Sequence, residues 1–397
     1  MTQVFPLYGL STPPLGQPSS LPTAAAADPS GELPEEIETV RGRVQLRRQR
    51  GDAGVSAGVE HLHVGGERAG FTLLPTRGMG IWKAWAGERS FGWNSPVQGP
   101  VHPAWVPLSE PSGLGWLSGF DELLVRCGLE SNGAPQFGSG GQLEYPLHGR
   151  IANLPAESLS VAVDAEAGTV EVRGTVRESR LFFTNLSLES TIRMAIDGET
   201  IEIEDRVTNH SDSPATAQLL YHINLGAPLL SEGATLVAPA VEVVPKTDQA
   251  AAAIDSYPRY QGPQVGFAEE VYLMRLVADH SGWTRALLRG ADGTAGFGVS
   301  FDTSTLPYFI QWKNTAGLAD GYVTGLEPAT GFPNTRRFEE ANGRIVSLEA
   351  GETQTHRLRL HLLSSAEQVE AFEAEVRKLA LADPKIDRRP RDGWCEG

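Results

Sequence analysis

At 397 residues, with 44 glycines, 27 prolines and 40% hydrophobic residues, the chain can bury a large core, and its apolar residues fall in short alternating runs. Lys and Arg number 33 against 49 Asp and Glu; the formal charge of −16 argues against nucleic acid or anionic membrane as partners and leaves a small or neutral ligand. Cys127 and Cys395 make neither a disulfide framework nor a metal-binding spacing, and no run approaches the roughly 18 apolar residues of a membrane span.

Residues 1–36 are rich in Pro, Ala, Ser and Gly and read as a loose arm or edge wrap. They lack the basic flank and apolar core of an export signal, so a cytoplasmic protein is expected. A strand-like pattern begins near Thr39 with Val40, Val44 and Leu46, and His61 and His63 then share one face of a possible strand, with no third ligand nearby to make a metal site. Residues 71–135 carry Trp82, Trp85, Trp93, Trp105 and Trp116 among many Gly and Pro, the pattern of long loops packed over a sheet. Tryptophans in such loops either stack on sugar faces or fill the cap of a core.

From 158 to 208 the alternation is clear. Leu159, Val161 and Val163 precede a turn at Glu166-Ala167-Gly168, then Val170 and Val172 follow; Leu186, Leu188, Ile192, Met194 and Ile196 precede Asp197-Gly198, then Ile201, Ile203 and Val207. Two antiparallel hairpins are predicted. Further strand runs appear at 283–288, 296–301, 309–312 and 346–348, and Leu358, Leu360 and Leu362 alternate with polar neighbours in a last strand. Gln264, Glu269 and Glu270 lie in a Gly/Pro-bounded loop with room to cover a cleft. One helix is marked by a capping box, Ser365 with Gln368, and by Val369, Phe372, Val376 and Leu379 at helical spacing. Many short strands without alternating helices predict an antiparallel sandwich over 37–365, preceded by the arm and followed by a helix and tail over 366–397.

Three polar signatures interrupt this pattern. In Tyr221-His222-Ile223-Asn224-Leu225, strand geometry puts His222 and Asn224 on one face and Tyr221, Ile223 and Leu225 on the other. The others are Leu147-His148-Gly149-Arg150 and Gly325-Leu326-Glu327-Pro328, and the gaps of 74 residues (148 to 222) and 105 (222 to 327) leave only the fold to join them. A histidine and a carboxylate facing each other across a pocket form an acid–base pair. Opening a sugar hemiacetal needs that pair and no metal or redox cofactor. Gly-rich phosphate loops and His-Glu-x-x-His are absent from the sequence.

The succession of these three segments among β-strands resembles the aldose 1-epimerase (galactose mutarotase-like) superfamily. Leu74-Pro75-Thr76-Arg77-Gly78-Met79, Gly119-Phe120-Asp121-Glu122-Leu123-Leu124 and Gln311-Trp312-Lys313 look like segments of a bacterial branch of it. Over about 70–365 the resemblance implies an all-β, antiparallel β-supersandwich of galactose mutarotase type with a short C-terminal helix. It also implies Glu327 as general base and His222 as general acid. His148 and Arg77 would hold sugar hydroxyls, and Asn224, Gln311 and Trp312 would complete the substrate-binding set. Galactose mutarotases carry His-Gly-Gly and Asn-His-x-Tyr-Phe-Asn where this chain has His148-Gly149-Arg150 and Tyr221-His222-Ile223-Asn224-Leu225. Arg150 offers a bidentate site for a carboxylate, sulfonate or phosphate on the sugar; its alternative is an ion pair with the acidic surface. The expected function is anomer interconversion of a free monosaccharide or sugar acid by a monomer or homodimer. The alternative is a non-catalytic carbohydrate-binding or sensing protein on the same fold, which needs aromatic and amide contacts but no acid–base pair.

Overall fold

The region read as two hairpins shows how the pattern becomes sheet. Ala156–Asp164, Thr169–Ser179, Asn185–Ala195 and Thr200–Asn209 pair antiparallel in succession. Their alternate apolar residues, Val161, Val172, Ile192 and Ile203 among them, are buried. Gly168 occupies the left-handed region at φ 64°, where a side chain is penalised, and turns the chain between the first two strands. The 180–184 turn between the second and third carries neither Gly nor Pro and has no turn signature in the sequence.

The computed structural model describes residues 2–9, 33–380 and 383–396. Among these, the strands form a nine-stranded sheet, a fourteen-stranded sheet and a small ribbon of Gln136–Phe137 with Leu143–Tyr145. Thr2–Gly9 is an edge strand of the nine-stranded sheet, paired antiparallel with Ala156–Asp164, and Leu7 is drawn into the core. That part of the expected arm or edge wrap is therefore sheet; residues 10–32 of it lie outside the described residues.

The main core fills the space between the two large sheets, joining Leu62, Phe71 and Ile81 of one with Val161, Ile192 and Ile203 of the other in a single cluster. Each such side chain contributes about 1.5–3 kcal/mol through burial. Arg126 ties the sheets together inside this core: it donates to Asp205 at 2.5 and 3.0 Å and to Ser190 at 2.8 Å, and Tyr221 donates to Asp205 at 2.9 Å. A second apolar cluster, with Trp93, Trp116, Phe120, Leu220, Ile310 and Phe332, covers the outer face of the larger sheet.

The strand Ala215–Gly226 separates the two clusters. Tyr221, Ile223 and Leu225 enter the main core and Leu220 the outer cluster, so the alternation read from the sequence is realised. Leu124–Leu129 and Val323–Ala329 flank this strand, and Tyr308–Asn314 lies beyond the latter. The helix Ala366–Leu379 has the expected capping box and buries Val369, Phe372 and Val376 against Leu287 and Leu363 on the nine-stranded sheet. Among the described residues no helix is long and apolar enough to cross a membrane.

Candidate active site

The register that sets Ile223 opposite Leu326 also sets His222 opposite Glu327 on the neighbouring strand. Nε2 of His222 lies 3.2 Å from Oε1 of Glu327, and their side chains are only 6% and 3% exposed. Gly325, two residues before Glu327 on the same face, makes this contact possible. A Cβ there would stand 2.3 Å from Glu327 Oε1 and 3.1 Å from His222 Cε1.

Asn224 sits one step along the same face as His222. Its Nδ2 donates to the carbonyls of Glu122 at 3.0 Å and His222 at 3.1 Å, which turns Oδ1 toward Nδ1 of His222, 2.5 Å away. An amide oxygen only accepts, so Nδ1 carries the hydrogen and Nε2 is the nitrogen presented to Glu327. Burial drives the two groups apart in proton affinity. It pushes His222 well below the usual histidine range, aided by His148, and pushes Glu327 well above the carboxylate range, aided by the charge of Glu269. Burial thus favours the uncharged form of both groups, a neutral imidazole beside a protonated carboxyl, and Oε1 of Glu327 has no hydrogen-bond partner among the described residues although Nε2 lies near it.

His148 approaches from a loop. It adopts φ 57° and is followed by Gly149 at φ 71°, where a Cβ would meet the carbonyl oxygens of Ser131 and Gly128 at 2.2 and 2.3 Å. The His-Gly pair is thus a backbone requirement as well as a side-chain one. Nδ1 of His148 donates to the Asn132 carbonyl at 2.9 Å, leaving Nε2 as an acceptor; burial, reinforced by the charge of Lys246, lowers its pKa to about 4. The ring stands edge-on to Trp116 at 4.6 Å and to His222 at 5.4 Å.

A cavity of about 380 Å³ opens over these groups, with His148, His222 and Glu327 in its lining and Trp116, Phe120 and Trp312 as aromatic walls. Phe120 and Trp312 lie 5.0 and 5.3 Å from the His222 ring, and the Trp312 indole N–H donates to Glu269 at 2.7 Å. Lys246 and Glu269 complete the polar lining. A larger cavity of about 650 Å³ lies beside Phe91, Leu229 and Ala295, but its Arg89 and Asp292 are engaged with Ser364 and Thr294, and no acid–base pair faces it.

Of the residues singled out in the sequence, His148, His222, Trp312 and Glu327 line one cavity. Asn224 stands behind His222, fully buried, and does not line it. Arg77 does not line the cavity: it is 1% exposed, and it donates to Glu122 at 2.6 Å, Asn153 at 2.7 Å, the Gly119 carbonyl at 2.8 Å and the Val101 carbonyl at 3.1 Å. It braces the loop that brings Trp116 and Phe120 to the cavity. Gln311 lies on the opposite face of its strand from Trp312, donating to Tyr257 and Tyr260 at 3.0 and 2.9 Å in the interior. Arg150 precedes the short Ile151–Asn153 turn outside the cavity, where its charge acts on buried Glu178. Lys246 carried no motif, and Phe120 was visible only as part of a family-like segment. His61 and His63 pack against Trp82 and Trp85, and no group of three potential metal ligands stands together among the described residues.

Residues 56–362 match the family model described as Domain of unknown function (DUF4432). The chain belongs to this family. Among curated proteins there is no match. Among solved structures, a "putative aldose 1-epimerase" from Klebsiella pneumoniae is 34% identical, with 87% of this chain and 89% of that chain covered at a TM-score of 0.83. A galactose mutarotase-like protein from Clostridium acetobutylicum shares the fold at 12% identity, 80% and 98% coverage and TM-score 0.56. So does a galactose 1-epimerase from Lactobacillus acidophilus, at 11% identity, 80% and 98% coverage and TM-score 0.51. The DUF4432 chain is thus an all-β protein of the galactose mutarotase-like type, as its sequence segments implied.

Proposed function

We propose that the chain is an aldose 1-epimerase that interconverts the anomers of a monosaccharide by opening and reclosing its ring. The observation that carries this is the 3.2 Å contact between His222 Nε2 and Glu327 Oε1 at the base of an aromatic-walled cavity. The two oxygens that must exchange protons in a hemiacetal, the anomeric hydroxyl and the ring oxygen, are bonded to one carbon. An acid and a base in contact with each other are therefore spaced to touch both at once.

With Glu327 ionised and Nε2 of His222 protonated, Glu327 is the base that takes the hydroxyl proton and His222 is the acid that gives one to the ring oxygen. The C1–O bond to the ring opens, the carbonyl end rotates, and the reverse transfers close the other anomer. Asn224 keeps Nε2 aimed at the reacting oxygens throughout. Trp116, Phe120 and Trp312 supply apolar faces for a pyranose ring, and Nε2 of His148 accepts from a hydroxyl.

The test is magnetisation transfer between anomeric protons in a panel of freshly dissolved sugars. Exchange above the spontaneous rate for at least one sugar supports the reading. Binding without exchange across the panel leaves a carbohydrate-binding protein in its place.

A further inference from the structure

Among the described residues, one cation lines the cavity over the His222–Glu327 pair, and it is Lys246. Neighbouring basic groups are engaged elsewhere: Lys313 pairs with Glu270 at 3.1 Å and donates to the Arg259 carbonyl, and Arg77 is saturated by Glu122 and its companions. Lys246 follows the strand Ala240–Pro245, half-buried, with its backbone N–H held by the Val271 carbonyl at 2.9 Å. Its ammonium has neither an ion pair nor a hydrogen bond among the described residues. In a chain with 49 acidic against 33 basic residues, a half-buried lysine left without a carboxylate stands out. An ammonium has three donors and no acceptor, and with no acceptor among the described residues those donors face the cavity, where a ligand that accepts can replace water. Glu269, the carboxylate of the same lining, is turned to the Trp312 indole and does not come within ion-pair distance of Lys246.

Resting on the hemiacetal chemistry above, we propose that the substrate is an aldose bearing an anionic group, a carboxylate, sulfonate or phosphate, and that Lys246 selects it. Lys246 lines the same cavity as Glu327 without contacting it, so the anion belongs on a carbon remote from the anomeric centre. Beside Glu327, which must be ionised to act as the base, a second negative charge would be repelled. The net charge of −16 opposes such a ligand at long range, but screening beyond about 8 Å at physiological salt leaves the nearby ammonium dominant. Lysine is a point charge on a flexible stem and does not demand the planar geometry of a carboxylate. Which of the three anions fits best is therefore read by experiment. Lys246 takes the place assigned to Arg150 on sequence grounds.

The experiment uses the full chain and two readouts: tryptophan fluorescence for binding, because Trp116 and Trp312 line the cavity, and anomer exchange by NMR. The ligands are a hexuronic acid, a 6-phosphorylated hexose and a 6-sulfonated hexose, each beside its neutral parent. At least one anionic sugar is expected to bind about tenfold or more tighter than its parent. Lys246→Met should bring that ratio close to one, and Lys246→Arg should retain most of it, with near-UV circular dichroism showing that both variants are folded. Neutral parents that bind as well as every anionic derivative, no binding of any anionic sugar, or a ratio unchanged in Lys246→Met, overturns the proposal. Anion preference without exchange leaves Lys246 in its role and removes the epimerase, whereas exchange without anion preference does the reverse.

Discussion

The side-chain oxygen of Asn224 lies 2.5 Å from Nδ1 of His222 and is fixed there by the two carbonyls, those of Glu122 and His222, that its own NH2 group binds. The histidine can present only Nε2 to Glu327 as long as that arrangement stands. A residue counted among substrate contacts on sequence grounds instead stands behind His222 and sets its tautomer.

Asn224→Leu is expected to lower the anomer-exchange rate by on the order of a hundredfold with little change in KM, because the ring loses its orientation rather than a sugar contact. Asn224→Asp places a carboxylate on Nδ1–H, which favours the protonated imidazole. The acid limb of the rate profile, where the pair takes up a second proton, should move to higher pH. Unchanged rates and an unmoved profile in both variants would count against the tautomer assignment.

Gly325→Ala tests the contact itself. Its Cβ would overlap Glu327 Oε1 at 2.3 Å, in a stretch where the strand is otherwise regular, so the carboxyl must swing away. Turnover should fall by on the order of a hundredfold. Crystallography of the variant should find the His222–Glu327 separation increased; a preserved separation with normal activity would show that the close approach is incidental.

Arg77→Ala should act on stability. Removing a guanidinium that satisfies Glu122, Asn153 and two carbonyls leaves a buried carboxylate unpaired, at a cost of about 3–5 kcal/mol. Arg77→Lys keeps the charge but not the fork and should recover only part of it. Urea unfolding measures both, and a loss of sugar affinity with unchanged stability is the outcome that would restore Arg77 to the site.

Acid should unfold the protein through its buried histidines. Burial holds His148 and His356 at about 4 and His361 at about 3, all below the ordinary value of 6.5. At these histidines, and at His222, the unfolded chain binds more protons than the folded one below about pH 6.5, while Glu178, pushed up to about 7, Asp121, to about 6, and Glu327 act in the opposite sense down to about pH 4; with four histidines against three carboxylates, the net effect is stability that falls as pH drops toward 4. Denaturant midpoints measured from pH 8 to pH 4 should decline below 6.5. A flat profile across that window would contradict these protonation states.

Strand periodicity made much of this legible. His222 and Asn224 share a face because residues two apart always do, and the partition of Tyr221, Ile223 and Leu225 into the main core follows from the same rule. In Tyr308–Asn314 the same rule was not enough. Phe309 faces one apolar cluster and Ile310 the other, so both faces are buried and the sequence cannot say whether Gln311 or Trp312 meets the cavity. Arg77 and Arg150 lie in turns, where no period governs direction. Lys246 faces the cavity because its segment pairs beside Val271, a long-range register that local pattern does not encode.

The central claim, that His222 and Glu327 together open the hemiacetal, is tested most directly by NMR exchange between the anomeric protons of a responsive sugar in wild type, Glu327→Gln, His222→Ala and the double variant. Each single variant should lose on the order of a hundredfold or more in turnover with smaller effects on binding, and the double variant should be little worse than either, since the two groups act together in one transition state. The wild-type profile should be bell-shaped, falling at low pH as the pair gains a second proton and at high pH as it loses the one it holds. Exchange as fast as wild type in both single variants would contradict the claim.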